Sequence, residues 1–98
     1  MFNIEKIKKG SELTLFLMGR LDTQAAQDLA QATEYLAKVR TLILDFRDLD
    51  YISSAGLRIL LAAQKRMDVD GIMLVRNVSP RVMEILDVTG FSSILTIE

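Results

Sequence analysis

The sequence predicts an α/β domain built on one mixed β-sheet, with its helices mainly on one face of that sheet. The chain has 98 residues, which suits a single domain spanning residues 1–98. Its first two segments alternate apolar and polar residues around a short turn, a pattern typical of an antiparallel hairpin. From Leu42 onward, short apolar runs alternate with amphipathic helical patterns, which indicates parallel strands joined by right-handed helical crossovers.

The predicted hairpin flanks Gly10 and Ser11, a dipeptide that favours a turn. Residues 2–9 alternate weakly and form the first expected strand. Residues 12–18 alternate clearly and form the second, with three leucines on one face: Leu13, Leu15 and Leu17. Because the connection is so short, we expect these two strands to pair with each other.

An amphipathic helix is expected next, from Asp22 or Thr23 to about Val39. Either of the first two residues can act as the N-cap, because both side chains accept hydrogen bonds from the free N–H groups of a first helical turn. Small and apolar residues recur at helical spacing along one face: Ala25, Ala26, Leu29, Ala30, Thr33, Leu36 and Ala37. That face is predicted to pack on the sheet.

The run at residues 42–46 is almost continuously apolar, which is typical of a parallel strand that is buried on both faces. Asp45 lies inside this run, and a buried carboxylate needs partners. We expect residues 47–52 to form a loop that gathers Asp48 and Asp50 near Asp45.

A second helix is predicted to begin at Ser53 or Ser54 and to reach about Met67, with a turn at residues 68–71. Serine is a favoured N-cap residue, so either position can start the helix. Its buried side is expected to carry Leu57, Leu60, Leu61 and Ala63.

The remaining predicted elements are a buried strand at residues 72–75, a third helix and a last short strand at residues 94–97. Ser79 and Pro80 indicate the start of the third helix, with serine as N-cap and proline at the first helical position. Gly90 indicates its end. The predicted order is therefore ββαβαβαβ.

Composition excludes several classes of function. The chain has no His and no Cys, and its 12 Lys+Arg against 13 Asp+Glu give a formal net charge of −1. Without His or Cys it lacks the usual general base, the thiolate nucleophile and the commonest zinc ligands. We expect no enzymatic activity and no cofactor or metal of its own. Nucleic-acid binding is not expected either, because it needs a clustered basic excess.

The sequence also favours a cytoplasmic location without a membrane partner. No apolar run approaches the roughly 18 residues of a membrane span. The first ten residues alternate charged and apolar side chains and lack the apolar core of a secretion signal.

The adjacent serines at the start of the second helix are the most informative feature of the sequence. Free N–H groups and a partial positive charge at a helix N-terminus tolerate a phosphate, whereas the nearby acids would repel it. Modification could therefore change the affinity for a partner without changing the fold. Further along the helix, Arg58, Ala62 and Lys65 share one face with Ser54, which makes this face a plausible docking surface.

Each of these residues also has a simple structural explanation. Two serines before a helix are most often just an N-cap, and Asp22 can cap the first helix. Gly56 is more often a close-packing residue than a ligand contact. Arg58 and Lys65 are typical of a solvated helix face.

The runs LILDFRDLDYISSAGLRILLAAQKRM and GRLDTQAAQDL resemble the sequence blocks of STAS domains, and of single-domain anti-sigma factor antagonists in particular. The resemblance extends over nearly the whole chain. It implies the same ββαβ-type mixed sheet and places the family's phosphorylated serine on Ser54, with Ser53 as the alternative. The family's acidic residue falls on Ser53, and its following Ser/Thr falls on Ala55, so both positions depart from the motif.

The resemblance implies a cycle of partner exchange. The unphosphorylated protein would bind an anti-sigma factor serine kinase of the GHKL type, which then frees its sigma factor, and a metal-dependent serine phosphatase would reset the phosphorylated form. ATP and Mg²⁺ would be held by the kinase, and we expect the free chain to be a monomer. The expected partner-binding residues are Asp22, Thr23, Ser53, Ser54, Gly56, Arg58 and Lys65.

Two alternatives remain open on the sequence. The chain could be a scaffold or regulatory STAS protein without a phosphorylation switch, in a transporter or signalling complex, because the acid expected at position 53 is missing. An enzyme is the other alternative, but no histidine base, G-x-x-x-x-G-K-[ST] loop or G-x-G-x-x-G turn is present to support one.

Overall fold

A four-stranded mixed sheet is the framework of the computed structural model, which describes residues Met1–Glu98. The elements in chain order are β1 (Phe2–Lys9), β2 (Glu12–Leu21), α1 (Thr23–Ala32), β3 (Thr41–Ile52), α2 (Ser54–Asp70), β4 (Ile72–Arg76), α3 (Pro80–Thr89) and a 3₁₀ turn, Phe91–Ser93. The strand order is β1-β2-β3-β4; β1 pairs antiparallel with β2, and the other two pairs are parallel. The predicted mixed sheet with an N-terminal hairpin is confirmed.

One face of the sheet carries the hydrophobic core. Side chains alternate along each strand, so the residues of that face come from every second position. The buried members on the sheet are Leu13, Leu15, Leu17, Leu42, Leu44, Phe46, Met73 and Val75. All three helices contribute to the same cluster, through residues that include Leu29, Leu57, Leu60, Met67, Val82 and Leu86. The prediction that the helices lie mainly on one face is therefore confirmed.

The central strand is longer than predicted. Residues 47–52 were expected to form a loop, but β3 continues through them and stays paired with β2 to the end, where Leu21 aligns with Ile52. The register shifts twice along this stretch, which marks β-bulges on β3. Leu49 and Ile52 are buried, and the free energy of burying them favours continued pairing over a loop. For the same reason β2 extends to Leu21 rather than ending at Met18.

Helix α1 is shorter than predicted, because it ends at Ala32 instead of reaching Val39. Thr33 is buried, and its hydroxyl donates to the carbonyl of Leu29 at 2.9 Å. The carbonyl of Thr33 accepts from the Arg66 guanidinium at 2.8 Å, which satisfies a carbonyl at the helix end. Leu36 and Val39 still reach the core, from an irregular segment.

Helix α2 is longer than predicted and absorbs the turn expected at residues 68–71. It ends at Asp70, which pairs with the Arg40 guanidinium. At Gly71 a Cβ atom would lie 2.5 Å from the carbonyl oxygen of Arg40, so only glycine permits this close approach of the two chain segments. With 17 residues α2 is the longest helix, and no helix in the structure has the length and apolarity to span a bilayer.

The start of α3 is as predicted, and the last strand is not. Ser79 caps α3 by accepting from the Val82 N–H at 3.3 Å. Residues 94–97 were expected to form a strand, but only an isolated parallel bridge joins Ile97 to Val75. The 3₁₀ turn that precedes them directs Leu95 into the core, where it is 5% exposed, and this interrupts regular pairing.

The two edges of the sheet differ. At β4 the chain end runs alongside the strand, where the N–H of Val75 donates to Thr96 at 2.9 Å and the N–H of Glu98 donates to Val75 at 2.9 Å. Arg76 donates to the Glu98 carboxylate, and this hydrogen bond raises the pKa of Arg76. At the opposite edge β1 has β2 as its single neighbour.

We predict that Leu44→Ala lowers the free energy of unfolding by about 2–5 kcal/mol, because the substitution opens a cavity at a fully buried position in the central strand. Urea denaturation followed by circular dichroism would measure this. Val69→Ala is the matched control: Val69 is 85% exposed on α2, and its truncation should change stability by about 0.5 kcal/mol or less. Equal losses for the two variants would contradict the position of the core.

Candidate functional site

Three helices begin along one edge of the sheet, because α1, α2 and α3 each follow the carboxyl end of one of the three mutually parallel strands. Their N-caps are Asp22, Ser53 and Ser79. In open α/β sheets, this is the edge at which functional residues gather. The two serines that the sequence singles out lie here, at the start of α2.

The N-termini of α1 and α2 are direct neighbours. Leu21 and Ile52 are aligned at the ends of the paired strands, and the N–H of Ser53 donates to the carbonyl of Leu21 at 2.8 Å. Asp22 follows Leu21 and caps α1, with its Oδ1 accepting from the Ala25 N–H at 2.8 Å. The strand pairing therefore brings Asp22 beside Ser53, although 31 residues separate them in the chain.

Ser53 and Ser54 have different surroundings. Ser53 is half-buried, and its Oγ accepts from the Gly56 N–H at 3.1 Å, so it is the N-cap of α2. Ser54 is the first residue of the helix, is exposed, and its hydroxyl makes no hydrogen bond within the chain. The sequence left both serines open as the N-cap, and the structure assigns that role to Ser53.

Gly56 lets α2 begin close to β2. A Cβ atom at this position would lie 2.7 Å from Leu21 Cγ and 3.1 Å from the Leu21 carbonyl oxygen. Gly56 is itself buried, so it lies beneath the site and sets the distance between the helix and the strand. Gly56 therefore has the close-packing role that its sequence context favours over a ligand contact.

The exposed surface of the site is made by side chains on two helices. Thr23, the first residue of α1, is exposed, as are Ser54, Arg58 and Lys65 on α2. Arg58 and Lys65 take part in neither of the chain's two ion pairs. Arg58 is one turn from Ser54, whereas Lys65 is about 16 Å further along the helix axis. Thus Arg58 lies close to the serine, and Lys65 lies three turns from Ser54 on the same helix.

Sequence reasoning missed a pair at the carboxyl ends of β2 and β3. Arg20 aligns with Tyr51 in the strand register, and its guanidinium lies 4.3 Å from the centre of the Tyr51 ring, a cation–π contact. Both residues lie in the runs that resemble the family blocks, but nothing in those runs pairs them, and Tyr51 was expected in a loop. Only the register of β2 and β3 would have brought them together.

The arrangement presents an accessible hydroxyl for modification and a charged surface for docking. No group of three or more carboxylates is placed to hold a metal ion. The acids Asp48 and Asp50, expected in a loop around Asp45, are exposed on β3. Asp45 is half-buried, and its carboxylate accepts from the side chain of Asn77 at 2.9 Å and from the Arg47 N–H at 2.9 Å.

One surface pocket lies away from these serines. It has a volume of about 450 Å³ and is lined by residues of the α1–β3 connection and the last turns of α2, including Leu36, Val39, Arg40, Arg66 and Met67. These segments lie at the amino ends of β3 and β4, the opposite edge of the sheet from Ser54.

The sequence and the fold were compared with known proteins. A family model for the STAS domain matches residues 3–98. BtrV of Bordetella bronchiseptica, whose name assigns it as an anti-sigma factor antagonist, is 41% identical over 59 residues, which cover 59% of this chain and 51% of BtrV, about half of its length. A STAS-domain-containing protein of Pseudomonas aeruginosa is 32% identical over 90 residues, which cover 90% of this chain and 89% of that protein.

A solved anti-sigma factor antagonist has the same fold. SpoIIAA of Bacillus is known in unphosphorylated and phosphorylated forms, which match this chain with TM-scores of 0.76 and 0.74 at 20% identity. Each match covers 100% of this chain, and they cover 87% and 91% of the respective SpoIIAA chains. At this identity the likeness shows the fold.

The two serines are predicted to differ in their effect on stability. Ser53→Ala removes the N-cap of α2 and should lower the free energy of unfolding by about 1 kcal/mol. Ser54→Ala removes an exposed hydroxyl without a partner and should change it by about 0.5 kcal/mol or less. Paired urea titrations would measure both, and a larger loss for Ser54→Ala would contradict the assignment of the cap.

Gly56→Ala is predicted to destabilise the chain by about 1–3 kcal/mol, because the added methyl group overlaps Leu21 and α2 must move away from β2. Thermal unfolding would measure the loss. Amide chemical shifts of Asp22 and Ser53 would report the displacement. Ala55→Gly, which changes the neighbouring residue without adding volume, is a control for these shifts.

Proposed function

The chain belongs to the STAS-domain family, and on that premise we propose that it is an anti-sigma factor antagonist whose partner binding is controlled by phosphorylation of Ser54. The observation that carries the proposal is the exposed, unpartnered hydroxyl of Ser54 at the first position of α2. The neighbouring Ser53 is held by its capping bond. The serine that the family motif designates is therefore also the serine that a second protein can reach.

In the unmodified state, the surface around the start of α2 binds an anti-sigma factor serine kinase of the GHKL type, which then releases its sigma factor. The groups available for this contact are exposed or lie at the surface, and they carry both signs of charge. They are Asp22, Thr23, Ser53, Ser54, Arg58 and Lys65. Electrostatic complementarity over such a surface sets the partner specificity and the association rate more than the affinity.

Phosphorylation ends this interaction. The kinase, which holds ATP and Mg²⁺, transfers the γ-phosphoryl group to Ser54 Oγ; an O–P bond forms, ADP leaves, and the hydroxyl proton passes to the kinase. The product carries about −1.5 to −2 additional charge at pH 7. A metal-dependent serine phosphatase restores the hydroxyl by adding water across the ester and releasing inorganic phosphate. In this cycle the chain is a substrate and needs no cofactor of its own.

The local electrostatics support a switch that leaves the fold unchanged. The first N–H groups of α2 and its macrodipole stabilise an anion at Ser54, whereas Asp22 at the adjacent start of α1 repels it. The phosphate therefore adds charge to a surface that is already partly acidic, and the helix start tolerates it.

The second candidate function is a STAS scaffold without a phosphorylation switch, in a transporter or signalling complex. It is favoured by Ser53 and Ala55, which stand where the family motif has an acid and a second Ser/Thr. A stable complex with a partner other than a kinase, together with an unmodified Ser54, would support this alternative.

We predict that a cognate anti-sigma factor serine kinase, incubated with this chain, ATP and Mg²⁺, places one phosphate on Ser54. Peptide mass spectrometry would locate it. Ser53→Ala should still be modified and Ser54→Ala should not, because the hydroxyl of Ser54 is the accessible one. Binding of the kinase by Ser54→Asp should be at least about ten-fold weaker than by Ser54→Ala, a difference of about 1.4 kcal/mol.

Phosphate found on Ser53 instead would contradict the choice of serine while retaining the switch. Equal kinase binding by the Ser54→Asp and Ser54→Ala variants would contradict the switch. An active kinase that modifies neither serine of the folded chain would favour the scaffold function.

A further inference from the structure

Arg58 is placed to interact with whatever group Ser54 carries. Both residues are exposed on α2 and are separated by four positions, so they lie one above the other on the same helix face. Side chains at this spacing have Cβ atoms about 5–6 Å apart. The order also matters: an anionic residue one turn N-terminal to a cation is the more favourable arrangement on a helix.

The guanidinium of Arg58 has no partner in the unmodified chain. Four other arginines are engaged: Arg40 with Asp70, Arg66 with the carbonyl of Thr33, Arg76 with Glu98, and Arg20 with the ring of Tyr51. Arg58 takes part in no ion pair, side-chain hydrogen bond or cation–π contact within the chain. All of its donors are therefore available to a new anion.

Of the three cations Arg58, Arg20 and Lys65, Arg58 is the one that is placed to reach Ser54. Arg20 lies at the end of β2, next to Leu21, which points into the core. Because neighbouring strand residues point to opposite faces, Arg20 and its stacked Tyr51 lie on the face of the sheet away from the helices. Lys65 is about 16 Å from Ser54 along the helix axis, beyond the reach of a direct contact.

We propose that Arg58 forms a charge-assisted pair with the phosphate on Ser54, so that phosphorylation withdraws Arg58 from partner docking. This inference rests on the proposed phosphorylation of Ser54. In the unmodified chain Arg58 offers a free cation to an acidic group of the kinase. In the phosphorylated chain the same guanidinium is occupied by the phosphate, whose oxygens match the planar donor fork of arginine.

The pair makes the switch stronger than an added charge alone. Without Arg58, phosphorylation would add a repulsive anion and leave the remaining docking groups unchanged. With Arg58, it adds an anion and also removes one attractive cation from the interface. The contact is local to the first two turns of α2 and needs no movement of the backbone.

The test measures the ionisation of the phosphate in the chain itself. Phosphoserine is installed at position 54 during translation by an expanded genetic code, without any kinase, and its second pKa is followed by ³¹P NMR. Arg58 stabilises the dianion, so Arg58→Gln should raise this pKa by about 0.2–0.4 unit. Asp22 on α1 and Asp50 and Tyr51 on β3 are the other titratable groups near the helix start, and they are unchanged in all variants.

Lys9→Gln is the matched control, because Lys9 is an exposed cation in no ion pair and is aligned with Glu12 at the start of β2, nine residues from Leu21 and the start of α2. The substitution makes the same change in net charge and should shift the pKa by about 0.1 unit or less, because nine strand residues span about 30 Å and charges beyond about 10 Å are largely screened at 0.1 M salt. Arg58→Lys, which keeps the charge and loses the planar fork, should restore most of the lowered pKa. Amide spectra would verify that each variant is folded.

Equal phosphate pKa values for the Arg58→Gln and Lys9→Gln variants would overturn the pairing. That result would leave the proposed function intact, because the phosphoserine is installed without the kinase. Conversely, the expected pKa shift together with a kinase that never modifies Ser54 would support the pairing and contradict the proposed switch. The Arg58–phosphate pairing and the proposed phosphorylation switch can therefore be contradicted independently of each other.

Discussion

The alignment of Leu21 with Ile52 is the constraint on which the site depends. These two residues end the parallel pair at the centre of the sheet, and both are buried. The hydrogen bond from the Ser53 N–H to the Leu21 carbonyl continues the pairing by one residue, so two helices begin side by side. Gly56 then allows α2 to pack directly against Leu21. Asp22, Ser53 and the exposed Ser54 owe their mutual arrangement to this small set of contacts.

The bulges of β3 give the strand two roles. Before the first register shift, its side chains alternate between the core and the open face of the sheet, and Leu42, Leu44 and Phe46 are buried. After this shift, β3 contains more residues than the stretch of β2 with which it pairs. Asp48 and Asp50 are exposed there, while Leu49 and Ile52 stay in the core. Bulges locally increase the twist of a strand and redirect its side chains. The carboxyl end of β3 thus carries a charged surface while its amino end remains apolar.

Local signals in the sequence were sufficient for the parts of the fold that are determined locally. The turn at Gly10 and the Ser79–Pro80 helix start were predicted correctly, because each depends on the conformational preferences of a few consecutive residues. The end of α1 was wrong, because it depends on Arg66, which is 33 residues from the Thr33 carbonyl that it binds. The length of β3 was wrong for a related reason: residues 47–52 look polar along the chain, and only their pairing with β2 makes them a strand. The choice between Ser53 and Ser54 also required the three-dimensional position of the helix start.

The free edge of the sheet carries a further consequence for the behaviour of the chain at high concentration. Strand β1 holds Lys6, Lys8 and Lys9 in its second half, and none of them is in an ion pair. Two such edges brought together antiparallel through these halves would place like charges against each other and bury them away from water, which costs free energy. Lysine on an exposed edge is a common natural protection against runaway β-sheet aggregation. With the β4 edge flanked by the end of the chain, neither side of the sheet offers an unprotected template for fibril growth.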